Sequence, residues 1–229
     1  MYNNHSELKS IYNEISDSYD RANSIISFKQ DRRWRSKLVE MLLSAEIPRN
    51  ALDVGAGKGE LSEILRRASP GTEIVMVDYA ENMIRSSEAE NRVMASFSHL
   101  PFRDGSFDMV MSSFALHAAD DVETVISEMA RVSRNIVGAL AMGKPDNALF
   151  RAVDGFYLHY VQPNLAALAG AEPEHFRYIY YIYNRNPKNS EIRDRILKHI
   201  DLIVYREIAL SSFYMFTGFR KMPAQLPGS

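Results

Sequence analysis

Ala51-Leu52-Asp53-Val54-Gly55-Ala56-Gly57-Lys58-Gly59-Glu60 joins a short apolar run to three glycines at alternate positions. A helical pattern, Leu61 to Ala68, follows at once. These ten residues read as a strand, a tight glycine turn and a helix N-terminus. Glycine tolerates positive φ and lets a ligand approach the backbone where a Cβ would stand. A helix start offers N–H groups with no partner in the helix. The spacing is G-x-G-x-G, not the G-x-G-x-x-G of a dinucleotide turn. An acidic residue, Asp53, stands two positions before the first glycine.

Working outward, strands and helices alternate. Upstream, Leu8, Ile11, Tyr12 and Ile15 predict an amphipathic helix over 6–18, and a second helix runs from about Lys29 to Ala45 with Trp34, Leu38, Met41 and Leu42 inward. Downstream, strands are predicted at Glu73 to Asp78, Arg92 to Ala95, Phe107 to Ser113 and Ile136 to Met142. Helices are predicted at Glu81 to Ser87 and Val122 to Arg131. This alternation means right-handed βαβ units on a parallel sheet. After Gly143-Lys144-Pro145 the composition changes: residues 150–219 hold eight Tyr and six Phe, twice the aromatic share of the whole chain. Residues 148–185 read as helices interrupted near Pro163 and Pro173, followed by a helix from Ser190 to His199. Two strands then follow, Leu202 to Leu210 and Phe213 to Phe219, joined around Ser211-Ser212. The expected fold is α/β and Rossmann-like: a doubly wound, seven-stranded, mostly parallel sheet with an antiparallel last strand. N-terminal helices over 1–47 form a lid, and residues 48–229 form the main domain with a helical cap inserted at about 146–186.

The 229 residues suit one α/β domain with an attached lobe. A net charge of −2 gives no global field for nucleic acid. With no cysteine, disulfides, thiolate metal sites and a cysteine nucleophile are excluded, and no metal site is expected. A cytoplasmic setting is expected, with at most peripheral membrane association, because no apolar stretch approaches the roughly 20 residues that span a bilayer and the N-terminus lacks a signal layout. The Arg32-Arg33-Trp34-Arg35 run is a candidate for lipid headgroup contact; the alternative is a solvated helix face with one buried Trp. Oligomeric state stays open, a homodimer included.

The glycine turn with Asp53 and the acidic Asp78, 19 residues after Gly59, resembles motif I and its partner acid in class I S-adenosyl-L-methionine (SAM) methyltransferases. So does Leu100-Pro101-Phe102-Arg103-Asp104-Gly105-Ser106-Phe107-Asp108 before the fourth strand. The resemblance implies SAM as cofactor and S-adenosyl-L-homocysteine (SAH) as product. Gly55, Ala56, Gly57, Lys58 and Gly59 would meet the amino-acid end, Asp53 would attract its ammonium, and Asp78 would accept the ribose diol. Ser96 and Phe97 fall at the adenine position, where the family usually has an amide or acid at Ser96. Tyr19, Tyr79, Met83, Ser113 and Phe114 complete the expected cofactor contacts.

Further motifs narrow the family. Ser18-Tyr19-Asp20-Arg21-Ala22-Asn23, Ser27-Phe28 and Arg32-Arg33-Trp34-Arg35 resemble the N-terminal signature of the ubiquinone/menaquinone biosynthesis C-methyltransferases. Phe114-Ala115-Leu116-His117, the Glu128-Met129-x-Arg131-Val132 helix, Gly143-Lys144-Pro145, Phe176-Arg177-Tyr178-Ile179 and Thr217-Gly218-Phe219-Arg220-Lys221 match further segments in outline. Membership implies carbon methylation of a hydroxylated aromatic ring on a prenylated quinone precursor, an apolar aromatic acceptor. His117, where the family commonly has Arg, is a candidate base or a substrate-facing histidine. Phe156, Tyr157, Tyr160 and Tyr178 are candidate walls for the acceptor, or ordinary helical core. An amino-directed nucleic-acid enzyme is disfavoured because Ser112-Ser113-Phe114-Ala115 lacks the prolines of its tetrad, and a cytosine-C5 enzyme needs a cysteine. A small-molecule O- or N-methyltransferase and a non-catalytic SAM-binding subunit are the alternatives. A nicotinamide dehydrogenase is disfavoured by the glycine spacing.

Overall fold

The computed structural model describes residues 30–87, 91–168 and 173–221. The expected 6–18 helix, Tyr19, Asp20 and most of the 1–47 lid lie outside the described residues. Helix α1 (Gln30–Ala45) leads into strand β1 (Asn50–Val54), helix α2 (Glu60–Ala68), β2 (Glu73–Asp78), α3 (Glu81–Arg85), β3 (Arg92–Met94) and β4 (Phe107–Ser113). After a 3₁₀ turn (Leu116–Ala118) come α4 (Val122–Val132) and β5 (Ser133–Met142). The sheet order is β3-β2-β1-β4-β5-β7-β6, with β6 (Ile200–Ile208) and β7 (Phe213–Arg220) closing the chain. Strands β1 to β5 pair in parallel, and β7 runs antiparallel to both β5 and β6.

Both faces of the central strands are covered, which is why they are apolar at nearly every position. With side chains alternating between faces, Ala51, Met109, Met111, Ile136 and Leu140 meet Leu38 and Leu42 of α1 and Leu61 and Leu65 of α2. Leu52, Val54, Val110, Val137 and Ala139 meet Val125, Ile126 and Met129 of α4. Ile192 and Ile196, from α8 (Asn189–His199), join that second cluster. One expectation for α1 is corrected. Arg35, placed by its sequence in a solvated basic run, is buried while Arg32 and Arg33 are exposed; Trp34 and Met41, half-buried, pack against the first cluster as expected.

The insertion after β5 comprises α5 (Ala148–Phe156), one π turn (Tyr157–Val161), α6 (Gln162–Leu168) and α7 (Pro173–Arg185). Pro163 does not interrupt the helix as expected. Proline has no N–H and its ring clashes with the carbonyl four residues back; the wider π turn just before it absorbs that conflict. The base of the insertion is pinned. Asn189 accepts from Lys144 N–H (2.8 Å) and donates to Ser211 O (2.8 Å), and Asp146 accepts from Ser190 N–H and Oγ–H. The β6–β7 connection is longer than the expected tight turn, with Ala209, Leu210 and Ser211 all at positive φ.

Candidate functional site

The glycine turn lies at the carboxyl end of β1, where parallel sheets bind ligands. Its three glycines serve different ends. A Cβ on Gly55 (φ +66°) would collide with Ala115 Cβ, and one on Gly59 (φ +91°) would come within 2.9 Å of Met76 Cε. Gly57 (φ +55°) has no atom within 4 Å of such a Cβ. Packing therefore demands glycine at Gly55. At Gly59 the flexible Met76 tip can give way and the backbone angle makes the demand; at Gly57 it comes from the backbone angle and from the open space beyond it. The Ala56 N–H bonds to Val77 O (3.0 Å) and is used within the fold.

Two carboxylates face this turn. Asp53, on β1, is 1% exposed; its Oδ2 accepts from Ser62 N–H (3.2 Å) and Oγ–H (2.7 Å), while Oδ1 is buried without a hydrogen-bond partner among the described residues. Burial pushes its carboxyl up to about 7, against the downward pull of the Ser62 bonds and the Arg35 charge. Asp78, closing β2, accepts from Gly57 N–H at 2.7 Å through Oδ2 and from Ala80 N–H at 2.8 Å through Oδ1. Burial raises its carboxyl too, opposed by those amides. Each carboxylate oxygen carries two lone pairs, so Asp78 can hold the turn and still accept a diol. Glu60 and Glu63 occupy the first turn of α2. Those two are paired, Glu60 with Arg35 and Glu63 with Arg66 and Arg67, so it is Asp53 and Asp78 that oppose a pyrophosphate and suit a cationic sulfonium or ammonium. The crevice fits SAM on these grounds: an acid with an open lone pair, a second at the neighbouring strand end, and backbone without a Cβ between them.

The remaining expected contacts surround it. Phe97 borders Gly55, and Ser96 Oγ accepts from Ser98 N–H (3.3 Å) in the turn after β3. Tyr79 is partly exposed beside Asp78, Met83 is buried in α3, and Lys58 is half-buried in the turn. Ser113 ends β4, and Phe114 follows at φ +55°, an uncommon angle for an aromatic residue. Its N–H still bonds Leu140 O (2.7 Å), so the chain leaves the sheet abruptly at this point.

His117 lies four residues beyond β4, on the 3₁₀ turn and not at the strand end. Its Nδ1 is buried and without a partner among the described residues, and burial pushes the imidazole down to about 4. It borders a cleft of about 450 Å³ with Met142, Tyr178, Ile182 and Tyr214, and with Lys144, Arg185, Lys188 and Arg195 against Asp120 and Glu191. Of the four aromatic wall candidates, only Tyr178 reaches this cleft. Tyr157 packs in the Met142 cluster, while Phe156 and Tyr160 are exposed and border an outer groove with His159 and Tyr180.

Sequence reasoning missed Arg35. Its guanidinium donates to Asp31 (2.8 Å), Glu60 (3.1 Å) and Ser113 Oγ (3.1 Å) and lies 4.7 Å over the Phe114 ring. The Asp31–Arg35 spacing of four on one helix was the available signal.

Among the described residues no helix is long and apolar enough to cross a membrane. The family model for the ubiE/COQ5 methyltransferase family matches residues 1–207. A demethylmenaquinone methyltransferase of Roseiflexus sp. (strain RS-1) is 30% identical over 221 residues, covering 92% of each chain. Another, of Thermus thermophilus, is 33% identical over 181 residues, or 74% of this chain and 81% of that one. Among solved structures, magnesium protoporphyrin IX methyltransferase from Synechocystis PCC 6803 with bound SAH aligns at a TM-score of 0.65 and 14% identity. It covers 95% of this chain and 100% of its own, a likeness of fold alone. The match along nearly all of its length, on a sheet whose glycine turn suits a sulfonium nucleoside, places this chain in the ubiE/COQ5 methyltransferase family as a SAM-dependent methyltransferase.

Proposed function

We propose that this methyltransferase acts on a ring carbon of a hydroxylated aromatic acceptor, a prenylated quinone precursor. The observation that carries this reading is the reach of the similarity. Relatives named demethylmenaquinone methyltransferase align along 74% to 92% of the chain, beyond what the cofactor turn alone would require. SAM supplies a methyl group on a sulfonium, which an electron-rich ring carbon takes before losing its proton. In this reading Asp53 meets the ammonium, Asp78 the ribose diol, and Gly57 leaves the backbone open to the amino-acid end. Residues 1–47 are the proposed lid segment, of which α1 is held to the main domain by Leu38 and Leu42 in the core and by the tie from Arg35 to Glu60 and Ser113.

The cleft chemistry suits an acceptor bound as phenolate. Four cationic side chains against two acids favour the oxyanion, so the chain need not supply a strong base for the hydroxyl. An imidazole near 4 is poorly matched to a phenol of roughly 10. It is adequate for the far more acidic proton on a freshly methylated ring carbon, whose loss restores aromaticity. His117, whose ring borders the cleft, is the residue this reading gives that second proton.

The test is incubation with methyl-¹³C SAM and a short-chain demethylmenaquinol, with the product read by NMR. Label on a carbon-bound aryl methyl is expected. An aryl methyl ether, or no transfer while smaller phenols or amines are methylated, would contradict the reading.

A further inference from the structure

We propose that Arg35 receives the carboxylate at the amino-acid end of SAM, a role that rests on the cofactor reading above. A guanidinium only 7% exposed must be paired. Three of its five N–H donors are engaged, by Asp31, Glu60 and Ser113, leaving two for a ligand oxygen among the described residues. Glu60 is the most exposed of these partners, its side chain 41% accessible, so it can yield its place at little cost.

Sheet order sets the direction. Asp78 closes β2, the glycine turn closes β1, and Ser113-Phe114 closes β4, in the spatial order β2-β1-β4. A ribose held by Asp78 therefore sends the amino-acid end across β1 toward β4, over two strand spacings, roughly 10 Å. Arg35 stands there, bonded to Ser113 and stacked on Phe114. Asp53 and Arg35 then form a complementary pair for a zwitterion, the open Oδ1 facing the ammonium and the guanidinium facing the carboxylate. The two are near enough for the Arg35 charge to lower the Asp53 carboxyl.

Calorimetry on the full chain separates this role from a merely structural one. SAH is compared with its decarboxylated analogue, which keeps the adenosine and the ammonium. Arg35→Met is expected to weaken SAH at least about tenfold, roughly 1.4 kcal/mol, and to leave the analogue within about twofold of wild type. Arg35→Lys, which keeps the charge but loses the planar fork, should fall between. Equal weakening of both ligands would make Arg35 a structural clasp and overturn the proposal, as would unchanged SAH affinity. Failure of the wild-type chain to bind SAH at all would sink the cofactor reading itself, a result distinct from either.

Discussion

Gly57 and Asp53 of the crevice and His117 of the neighbouring 3₁₀ turn have separable physical roles. A Val at position 57 has space in the fold but fills the approach to the backbone and strains φ +55°. Gly57→Val is expected to abolish SAM binding while the chain still unfolds cooperatively; retained affinity would refute the backbone-approach role. Asp53 keeps a proton in the folded chain up to about pH 7 that the unfolded chain releases near 3.8. Stability is therefore lost as pH rises between those values. Asp53→Asn removes this penalty. It is expected to raise the unfolding free energy at pH 8, by on the order of 1 kcal/mol or more, with a smaller gain at pH 5, and to weaken SAM by removing the ammonium's partner. A destabilised variant at pH 8 would contradict the orphaned carboxylate. For His117, the depressed pKa means the imidazole stays neutral from pH 8 down to about 5. His117→Ala should slow turnover about 10²-fold or more with SAM affinity little changed, and the wild-type rate should show no break near 6.5. A rate loss centred there would mean an ordinary imidazole.

At the scale of elements, two stretches that sequence matching had singled out prove to be halves of one clasp. Arg131, on α4, donates to Glu128 (2.6 Å) and Asp104 (2.8 Å) and to the carbonyls of Leu100 (3.0 Å) and Phe102 (2.9 Å). Glu128 accepts in turn from Leu100 N–H (2.8 Å). The loop that enters β4 is thus fastened to α4, which fixes the strand whose far end carries Ser113 and Phe114. Arg131→Met leaves the Phe102 carbonyl without its donor and takes one donor each from the Leu100 carbonyl, which keeps Phe102 N–H, and from the half-buried Glu128 carboxylate, which keeps Leu100 N–H. It should cost about 1–3 kcal/mol in denaturant unfolding, while SAM binding at 25 °C persists. An unshifted midpoint would show the clasp to be decorative. The π turn before Pro163 shows the limit of reading elements from breakers alone: proline forbids one hydrogen bond, but a helix can widen around it.

Across the whole molecule, what repeats with a fixed period was legible in the sequence, and what depends on contacts between distant segments was not. Strands β2 and β4 and the glycine turn could be placed to the residue, because apolar runs bounded by turn residues and turn chemistry are local. Arg35 could not, since its partners Glu60 and Ser113 are 25 and 78 residues away. Nor could the exposure of Phe156 and Tyr160, because aromatic content does not say which face of the insertion turns outward. The central claim is that the turn after β1 holds the methyl donor, with its ribose toward β2 and its amino-acid end toward β4. The most direct measurement is a crystal structure of the full chain with SAH. The ribose hydroxyls are expected on Asp78, with the amino-acid end between Asp53 and Arg35. A nucleoside bound elsewhere, or in the reverse direction with its adenine toward Phe114, would contradict it.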